Sequence, residues 1–304
     1  MDDVAAQYEA FPYPDRNPAD EARRLVAGSP SDPLEMDHFL WAGARDWTRP
    51  LRVLVAGGGT GDGLIQLAQK LAWARRPARI TYLDLSRSAR QVAEARAAAR
   101  GLDGIEFRTG SLLEAPELGP FDYIDCCGVL HHLDDPQAGL GALAAALADG
   151  GGLGFMVYAP YGRSGVYPLQ EAFGALFGHL PPADKLAAAK ALWDKVPGSH
   201  VFKLNPHLGD HRRSDAGFYD LLLHSRDRPF TAPDWIAALE AAGLRLAGFC
   251  RPALYDLGRL TEAGSDLPEA QRMGIAEKLR GSIKVHVGYA AAPGAAGRAS
   301  GRSM

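Results

Sequence analysis

The strongest constraint on the fold is a run of glycines that directly follows an apolar segment, at residues 51–63. Five glycines fall within seven positions there, after the run Leu-Arg-Val-Leu-Val-Ala. The pattern predicts a buried strand, a tight turn, and then a helix from Leu64 to about Ala74. Glycine suits a turn that needs positive φ or lets a ligand approach the backbone. Because free N–H groups at a helix N-terminus attract polar or anionic groups, the sequence predicts a site for a nucleotide-like cofactor.

The glycine spacing decides which cofactor suits this loop. A dinucleotide fingerprint needs the pattern G-x-G-x-x-G or G-x-G-x-x-A. No frame that begins at Gly57, Gly59 or Gly61 ends in glycine or alanine. In addition, Asp62 is a poor neighbour for a pyrophosphate because like charges repel. The loop therefore favours a cofactor with an adenosine and no phosphates.

The loop resembles the first motif of the class I S-adenosylmethionine-dependent methyltransferases. In that family an acidic residue and then alternate glycines end the first strand. The glycines match here, whereas Val55 stands in place of the carboxylate that helps hold the cofactor's methionine part. The carboxylate of Asp62 is an alternative partner for that part. The resemblance implies cofactor contacts from Ala56, Gly57, Gly58, Gly59, Gly61 and Asp62.

A second match follows at residues 81–86, where a short apolar strand ends in Asp84. An acid about 20 positions after the loop lies at the tip of the second strand and accepts hydrogen bonds from ribose hydroxyls. The alternative is that Asp84 caps the next helix, a role that Ser86 can also fill. We favour the ribose role, and Leu85 beside Asp84 joins the predicted cofactor contacts.

A third match is the predicted strand and turn at residues 105–112. The family commonly has an acidic residue where Ser111 stands, bonded to the adenine amino group. A serine hydroxyl can also accept that bond. The resemblance therefore implies that Ser111 contacts the adenine and that Leu112 packs on the purine.

The fourth match is the fourth strand and its loop, at residues 121–133. The Val-Leu-His-His sequence of this loop is typical of the family's small-molecule branch, which includes quinone-biosynthesis methyltransferases. Cys127 and Gly128 are the implied cofactor contacts here. Asp135 and Pro136 begin the next helix as N-cap and first residue. We expect residues 150–152 to end that helix and residues 153–158 to form the fifth strand.

These matches imply an α/β fold: a Rossmann-like, seven-stranded, mostly parallel sheet with helices on both faces. An N-terminal arm and a helical lid are added to it. We predict the following division: residues 1–48, the arm and helices over the active site; 49–159, the cofactor-binding core; 160–230, the lid; 231–291, the completion of the sheet; 292–304, a disordered tail. Within the last part, Thr231 caps a helix that ends at Gly243, residues 244–250 and 282–290 form strands, and residues 252–280 are mainly helical.

The arm and the lid supply the predicted acceptor site. Aromatic residues alternate with prolines near the N-terminus, which favours an extended or turned segment, followed by helices at 18–27 and 33–47. These aromatic residues either line the acceptor site or only hold the arm to the core. In the lid we expect helices near 168–180 and 183–195 and a positive face toward an anionic group of the acceptor. The predicted acceptor contacts are Tyr8, Phe11, Tyr13, Tyr158, Tyr161 and Arg163.

No metal site is predicted. His207 and His211 have i,i+4 spacing, but Pro206 and Gly209 disfavour a helix between them. The three cysteines, Cys126, Cys127 and Cys250, lie in predicted strands without a second nearby pair. We interpret them as small core residues in a reducing compartment.

Composition limits the partners. The chain has a net charge of −3 with acidic and basic residues well mixed, and 47% of its residues are hydrophobic. We therefore expect a small-molecule or peptide acceptor and no DNA partner, which needs a basic surface. A signal peptide and an 18-residue apolar run are not found in the sequence, so a cytoplasmic protein without a membrane partner is expected. The oligomeric state stays open.

The implied reaction moves a methyl group from S-adenosylmethionine to an O, N or C nucleophile of a small or medium organic acceptor. His132, and less so His131, are the candidate catalytic residues, because histidine titrates near neutrality at the carboxyl end of the fourth strand. Alternatively, both histidines only hold the loop by bonds to the backbone. The alternative functions are a protein or RNA methyltransferase and a non-catalytic S-adenosylmethionine-binding protein. An Asn/Asp-Pro-Pro-Tyr-like run is missing after the fourth strand, which disfavours planar amino groups as acceptors.

Overall fold

The computed structural model describes residues 3–295, and within them seven strands form one mixed sheet. The spatial order is β3-β2-β1-β4-β5-β7-β6. The strands β1 to β5 pair in parallel, and β7 runs antiparallel to both β5 and β6. The strand bounds are β1, Leu51–Ala56; β2, Ala78–Asp84; β3, Ile105–Thr109; β4, Phe121–Cys127; β5, Leu147–Tyr158; β6, Arg245–Phe249; and β7, Val285–Ala291. The predicted fold class is confirmed.

Helices cover both faces of this sheet. The α-helices are α1, Asp3–Ala10; α2, Pro33–Trp41; α3, Asp62–Trp73; α4, Arg87–Ala99; α5, Ala115–Leu118; α6, Pro136–Ala145; α7, Val166–Phe177; α8, Pro182–Trp193; α9, Val201–Leu204; α10, Asp215–Leu222; α11, Ala232–Ala241; and α12, Glu269–Arg280. Side chains of β1 alternate between two cores. Leu54 packs with α6 and α11 on one face, and Val53 and Val55 pack with α2, α3 and α4 on the other. Because β1 is buried on both faces, its residues 53–56 are all apolar, and the half-exposed Arg52 is the polar exception.

The lid lies between β5 and α11 and has an apolar core of its own. Helices α7, α8 and α10 pack together around buried side chains that include Phe173, Leu186, Phe202 and Phe218. The helices predicted near 168–180 and 183–195 correspond to α7 and α8. The lid therefore holds its functional side chains on packed helices. None of the described helices has the length and apolar character needed to cross a membrane.

The prediction for the N-terminal arm was wrong in part. Tyr8 lies in α1, a helix built from good helix formers, and only the Pro12–Pro14 region that follows is irregular. Of residues 18–27, only Pro18–Ala22 is helical, as a short 3-10 helix. The predicted helix at 33–47 ends at Trp41, because Ala42 adopts a left-handed conformation with φ of 53°.

Three predictions in the second half also need correction. The glycines at 150–152 lie inside β5 and do not end α6; a Cβ at Gly152 would lie 2.4 Å from the Leu40 side chain, so close packing explains the glycine. Residues 252–280 begin with two 3-10 turns, and α12 starts only after Pro268. Ala292 donates a backbone hydrogen bond to Gly151 and Ala295 donates one to Ala292, so residues 292–295 form an ordered turn after β7. The remainder of the predicted tail, 296–304, lies outside the described residues.

A fully buried arginine joins the arm to the core. The guanidinium of Arg96 in α4 donates to Glu21 Oε1 at 2.6 Å, to Asp62 Oδ1 at 2.8 Å and to the Thr60 carbonyl at 2.7 Å. Arg100, one turn later, pairs with the other oxygen of Glu21. A single side chain thus contacts the arm, the glycine-rich loop and the first residue of α3.

We predict that Arg96→Met lowers the free energy of unfolding by about 3–5 kcal/mol, because it breaks a buried ion pair with Glu21 and removes the bonds to Asp62 and the Thr60 carbonyl. Lys190→Met, which breaks an exposed pair with Asp215, is the control and should cost less than about 1 kcal/mol. Urea denaturation followed by circular dichroism measures both. An Arg96→Met cost as small as the control's would contradict this role.

Candidate active site

A cavity of about 490 Å³ opens at the carboxyl ends of β1, β2 and β4. This is the edge where an open α/β sheet binds its ligands. All of the predicted cofactor contacts except Gly61 line this cavity. The lining residues among the predicted contacts are Ala56, Gly57, Gly58, Gly59, Asp62, Asp84, Leu85, Ser111, Leu112, Cys127 and Gly128.

The glycine-rich loop is shaped by its surroundings. Gly57 has φ of 67°, and a Cβ there would lie 2.3 Å from the Val129 side chain. Gly61 has φ of 97° and occupies the N-cap of α3 without a side-chain cap. Both positions require glycine, the first for space and conformation and the second for conformation. The loop thus brings its backbone directly to the cavity wall.

Asp84 at the end of β2 is held by the loop. Its carboxylate accepts the Gly59 and Ser86 backbone N–H groups, each at 2.8 Å. Ser86, not Asp84, is the N-cap of α4, since its hydroxyl accepts the Ala89 N–H. Burial raises the pKa of Asp84, and the two N–H donors oppose that rise. The oxygens keep lone pairs for a ligand in the cavity, so the geometry fits the predicted ribose contact.

Ser111 and Leu112 lie at the next strand end along the sheet. The Ser111 hydroxyl accepts the Leu113 N–H at 3.2 Å, and Glu114 completes a capping box. Leu112 is buried and contributes an apolar surface to the cavity. This local fold presents Leu112 for stacking. Whether Ser111 contacts an adenine stays a prediction.

Asp62 lines the cavity, but its carboxylate is already paired. Arg16 of the arm donates to both oxygens, at 2.8 and 2.5 Å, and Arg96 donates to one of them. Burial alone would raise the pKa of Asp62, but the two guanidinium groups outweigh it and leave the pKa lowered. The structure therefore does not favour Asp62 as the substitute for the carboxylate missing at Val55.

The N-terminal arm covers the loop. Tyr13 lines the cavity, and its carbonyl oxygen would lie 2.9 Å from a Cβ on Gly59. The Thr60 hydroxyl donates to the Pro14 carbonyl at 2.6 Å. Phe11 instead stacks on Tyr219 in the lid, with ring centroids 5.0 Å apart, so it serves the contact between arm and lid.

Five polar side chains from three parts of the chain meet at the cavity, and all of them except His224 line it. We name them the Asp220 cluster: Tyr8, His132, Tyr158, Asp220 and His224. Tyr8 and Tyr158 donate their hydroxyls to the two Asp220 oxygens, at 3.1 and 3.2 Å. The ring of His224 stacks on that of His132, with centroids 3.7 Å apart. Burial raises the pKa of Asp220, and His132 and Arg163 oppose that rise. The cluster thus brings imidazole, phenol and carboxyl groups together, with His132, Asp220 and His224 buried.

Hydrogen bonds fix the tautomer of His132. Its Nδ1 lies 2.7 Å from the Arg226 carbonyl oxygen, which can only accept, so Nδ1 carries the proton. With that proton on Nδ1, the lone pair that can accept a proton lies on Nε2. His132 lines the cavity with this ring. It therefore has the form that a general base needs.

His131 has a different position. It is fully buried, does not line the cavity, and accepts the Tyr158 N–H on Nδ1 at 3.3 Å. Its Nε2 has no hydrogen-bond partner among the described residues. Burial, and then the neighbouring His132, lower its pKa well below the usual value. The structure supports the alternative role for His131, which is to hold the loop after β4.

His132, Asp220 and His224 present possible metal-ligand atoms within 4.8 Å of one another. An imidazole binds a metal in its own ring plane. The planes of His132 and His224 are stacked and differ by only 15°, so one ion cannot lie in both. Both Asp220 oxygens and both ring nitrogens of His224 are also engaged with tyrosines or backbone groups. As arranged, the cluster does not fit a metal ion.

The predicted role of Arg163 toward an anionic acceptor is not supported. Arg163 is buried, pairs with Asp227 at 2.7 Å, and lies over the Tyr158 ring at 3.6 Å. Tyr161 does not line the cavity, and its carbonyl accepts the Ser164 hydroxyl. Arg163 and Asp227 neutralise each other, so Arg163 offers no unpaired positive charge to an acceptor. Arg163 instead supports Tyr158.

The sequence predictions missed two acidic residues of the cavity, Asp125 and Asp220. Asp125 lies in the fourth-strand match at residues 121–133. It stands two residues before Cys127, so both side chains lie on the same face of β4. Asp220 lies in the lid, four residues before His224. That spacing was visible, but only the folded lid shows which wall it faces.

Residues 54–153 match a family model described as a methyltransferase domain. The matched segment runs from β1 to β5. A domain of this class takes its methyl group from S-adenosylmethionine, which is therefore the cofactor assigned to the cavity. The residues present fit it: a carboxylate for the ribose, an open glycine backbone, and an apolar surface for the adenine.

The chain is also similar in sequence to two known proteins and in fold to a solved structure. The chain is 32% identical over 258 residues to an uncharacterized protein of Synechococcus sp., covering 81% of this chain and 59% of that protein. It is 29% identical over 173 residues to the polyketide synthase ThaQ of Burkholderia thailandensis, covering 53% of this chain and 8% of ThaQ. The chain thus spans only part of each relative. The solved structure of PKMT2 from Rickettsia typhi with AdoHcy has the same fold, with a TM-score of 0.66, 14% identity, and coverage of 86% of this chain and 53% of that one.

The buried residues His131 and His224 predict a pH dependence of stability. Burial, and then neighbouring charges, lower the pKa of His131 and His224. As the pH falls, the unfolded chain therefore binds more protons than the folded chain does. Below pH ~6.5, each of these two histidines should lower the free energy of unfolding by up to about 1.4 kcal/mol for every unit by which the pH falls. His131→Asn keeps an acceptor for the Tyr158 N–H and should reduce this slope. The exposed His179→Asn should leave the slope unchanged, and equal slopes for both variants in urea titrations would contradict the prediction.

Proposed function

We propose that this chain is an S-adenosylmethionine-dependent methyltransferase that moves a methyl group to an O, N or C nucleophile of a small or medium organic acceptor. The observation that carries the proposal is the Asp220 cluster, which shares one cavity with the glycine-rich loop and Asp84. A cofactor end and a proton-handling end therefore face each other across a single enclosed space.

The chain's own residues bind and orient the reactants. S-adenosylmethionine supplies an already activated methyl group, so the protein mainly supplies position. Asp84 accepts from the ribose hydroxyls, and Leu112 packs on the adenine. The arm, through Tyr13 and Tyr8, covers the cavity and excludes water. Orientation of this kind contributes on the order of 7–11 kcal/mol to lowering a barrier.

The Asp220 cluster prepares the acceptor. His132 Nε2 takes the proton of an acceptor hydroxyl or ammonium group, while the Arg226 carbonyl holds the ring in place. Asp220, anchored by Tyr8 and Tyr158, stabilises the imidazolium that results. A general base of this kind contributes roughly 10²–10⁴-fold in rate.

Three observations support a small organic acceptor. The cavity volume lies within the roughly 300–1,000 Å³ typical of small-molecule sites. Among residues 3–295, Arg16 is the arginine or lysine that lines the cavity, and it pairs with Asp62. In addition, the similarity to a segment of a polyketide synthase favours an organic acceptor.

The first test is calorimetric titration with S-adenosylmethionine, S-adenosylhomocysteine and NAD. We expect the first two to bind and NAD to fail. Asp84→Asn should weaken both by about 10- to 100-fold, because hydrogen bonds to a charged group are each among the stronger ones. The exposed Asp103→Asn is the control and should bind like the wild type. NAD binding in place of S-adenosylmethionine would overturn the proposed function.

The second test concerns the base. His132→Asn keeps a donor for the Arg226 carbonyl but removes Nε2, so we predict unchanged S-adenosylhomocysteine binding and a loss of roughly 10²–10⁴-fold in turnover. His207→Asn, an exposed lid variant, is the control. Turnover is measured by following a labelled methyl group from the cofactor into cell extract fractions. Unchanged turnover in His132→Asn would reject the base, and label that enters protein or RNA would point to the alternative acceptor classes.

A further inference from the structure

The end of β1 lacks the charge that the methionine part of the cofactor needs. Val55 is apolar, buried and part of the cavity wall. The α-ammonium group of S-adenosylmethionine is a cation, and a cation that leaves water requires an anionic or strongly polar partner. Asp62 does not offer one, because Arg16 and Arg96 already pair with it.

A carboxylate stands beside Val55 on the neighbouring strand. In the parallel pairing of β1 with β4, Val55 is the register partner of Asp125. Partner residues in adjacent strands direct their side chains to the same face of the sheet. Asp125 lines the cavity, and its Oδ1 would lie 3.4 Å from a Cβ on Gly63 in the first turn of α3. The charge missing from β1 is thus present one strand away.

Asp125 is held in place by neutral groups only. The Ser31 hydroxyl donates to its Oδ2 at 2.5 Å, the Tyr123 hydroxyl lies 3.4 Å from the same oxygen, and the Cys127 thiol also bonds to the carboxyl group. Within residues 3–295, no lysine, arginine or histidine forms an ion pair with Asp125. It is only 2% exposed. A buried carboxylate with hydroxyl partners and no cation is incomplete, and a positively charged ligand completes it.

We infer that Asp125 binds the α-ammonium group of S-adenosylmethionine, in place of the acidic residue that the family has at the position of Val55. The inference rests on the proposed function, since it concerns the same cofactor. Ser31 and Tyr123 orient the Oδ2 atom, which leaves Oδ1 for the ligand on the side of Gly63. Burial raises the pKa of Asp125, and its hydrogen-bond donors oppose that rise; the ammonium group favours the ionised form further.

The test compares two ligands by calorimetry. S-adenosylhomocysteine carries the amino acid part, and 5′-methylthioadenosine has the same adenosyl thioether without it. Asp125→Asn keeps the shape and an acceptor for Ser31 but removes the charge. We expect it to weaken S-adenosylhomocysteine by about 10- to 100-fold and to leave 5′-methylthioadenosine unchanged. Asp122→Asn, on the same strand but paired with Arg52, is the control and should change neither ligand.

A second variant tests the relocation directly. Val55→Asp combined with Asp125→Asn returns the carboxylate to β1, and we expect it to recover part of the lost S-adenosylhomocysteine affinity. Asp125→Ser covers the case in which the asparagine variant folds poorly, which circular dichroism reports. Equal weakening of both ligands, or no weakening in folded variants, overturns the inference and leaves the proposed function intact. Failure of the wild-type protein to bind either ligand contradicts the proposed function itself.

Discussion

The buried Arg96 guanidinium is the interaction on which the site depends most. It fixes the Thr60 carbonyl of the glycine-rich loop, the first residue of α3, and Glu21 of the arm at once. Because Arg96 and Arg16 together neutralise Asp62, the loop keeps an acidic residue in its first helical turn without presenting a free charge to the cavity. The consequence is that the cofactor's cation needs a partner elsewhere, and Asp125 is the buried acid within reach.

The cavity has two ends of different origin. The cofactor end comes from the strand termini of the methyltransferase domain, where Asp84 and Leu112 follow consecutive strands. The acceptor end depends on chain segments that are far apart in sequence: Tyr8 from the arm and Asp220 and His224 from the lid. The arm also contacts the lid through Phe11 and Tyr219. Arm and lid therefore form one cover over the cavity.

The sequence predicts the parts of this structure that depend on local pattern. Apolar runs that end in glycine or aspartate mark β1 and β2, and capping residues such as Thr231 mark helix starts, because periodicity and capping act over a few residues. It does not predict α1, where helix formers outweigh the nearby prolines, nor the glycines of β5, where packing against Leu40 decides. The sequence also does not predict the role of Asp220 or the pairing of Asp62 with two arginines. These contacts join distant segments that only tertiary packing brings together.

A crystal structure of the protein with S-adenosylhomocysteine tests the central claim most directly. The account predicts that the ligand fills the cavity, with its ribose hydroxyls roughly 2.7–3.2 Å from Asp84 and its α-amino group at a similar distance from Asp125. It also predicts that the sulfur faces the Asp220 cluster, since the methyl group must point toward His132. A ligand bound elsewhere, or one whose sulfur points away from that cluster, would contradict the account.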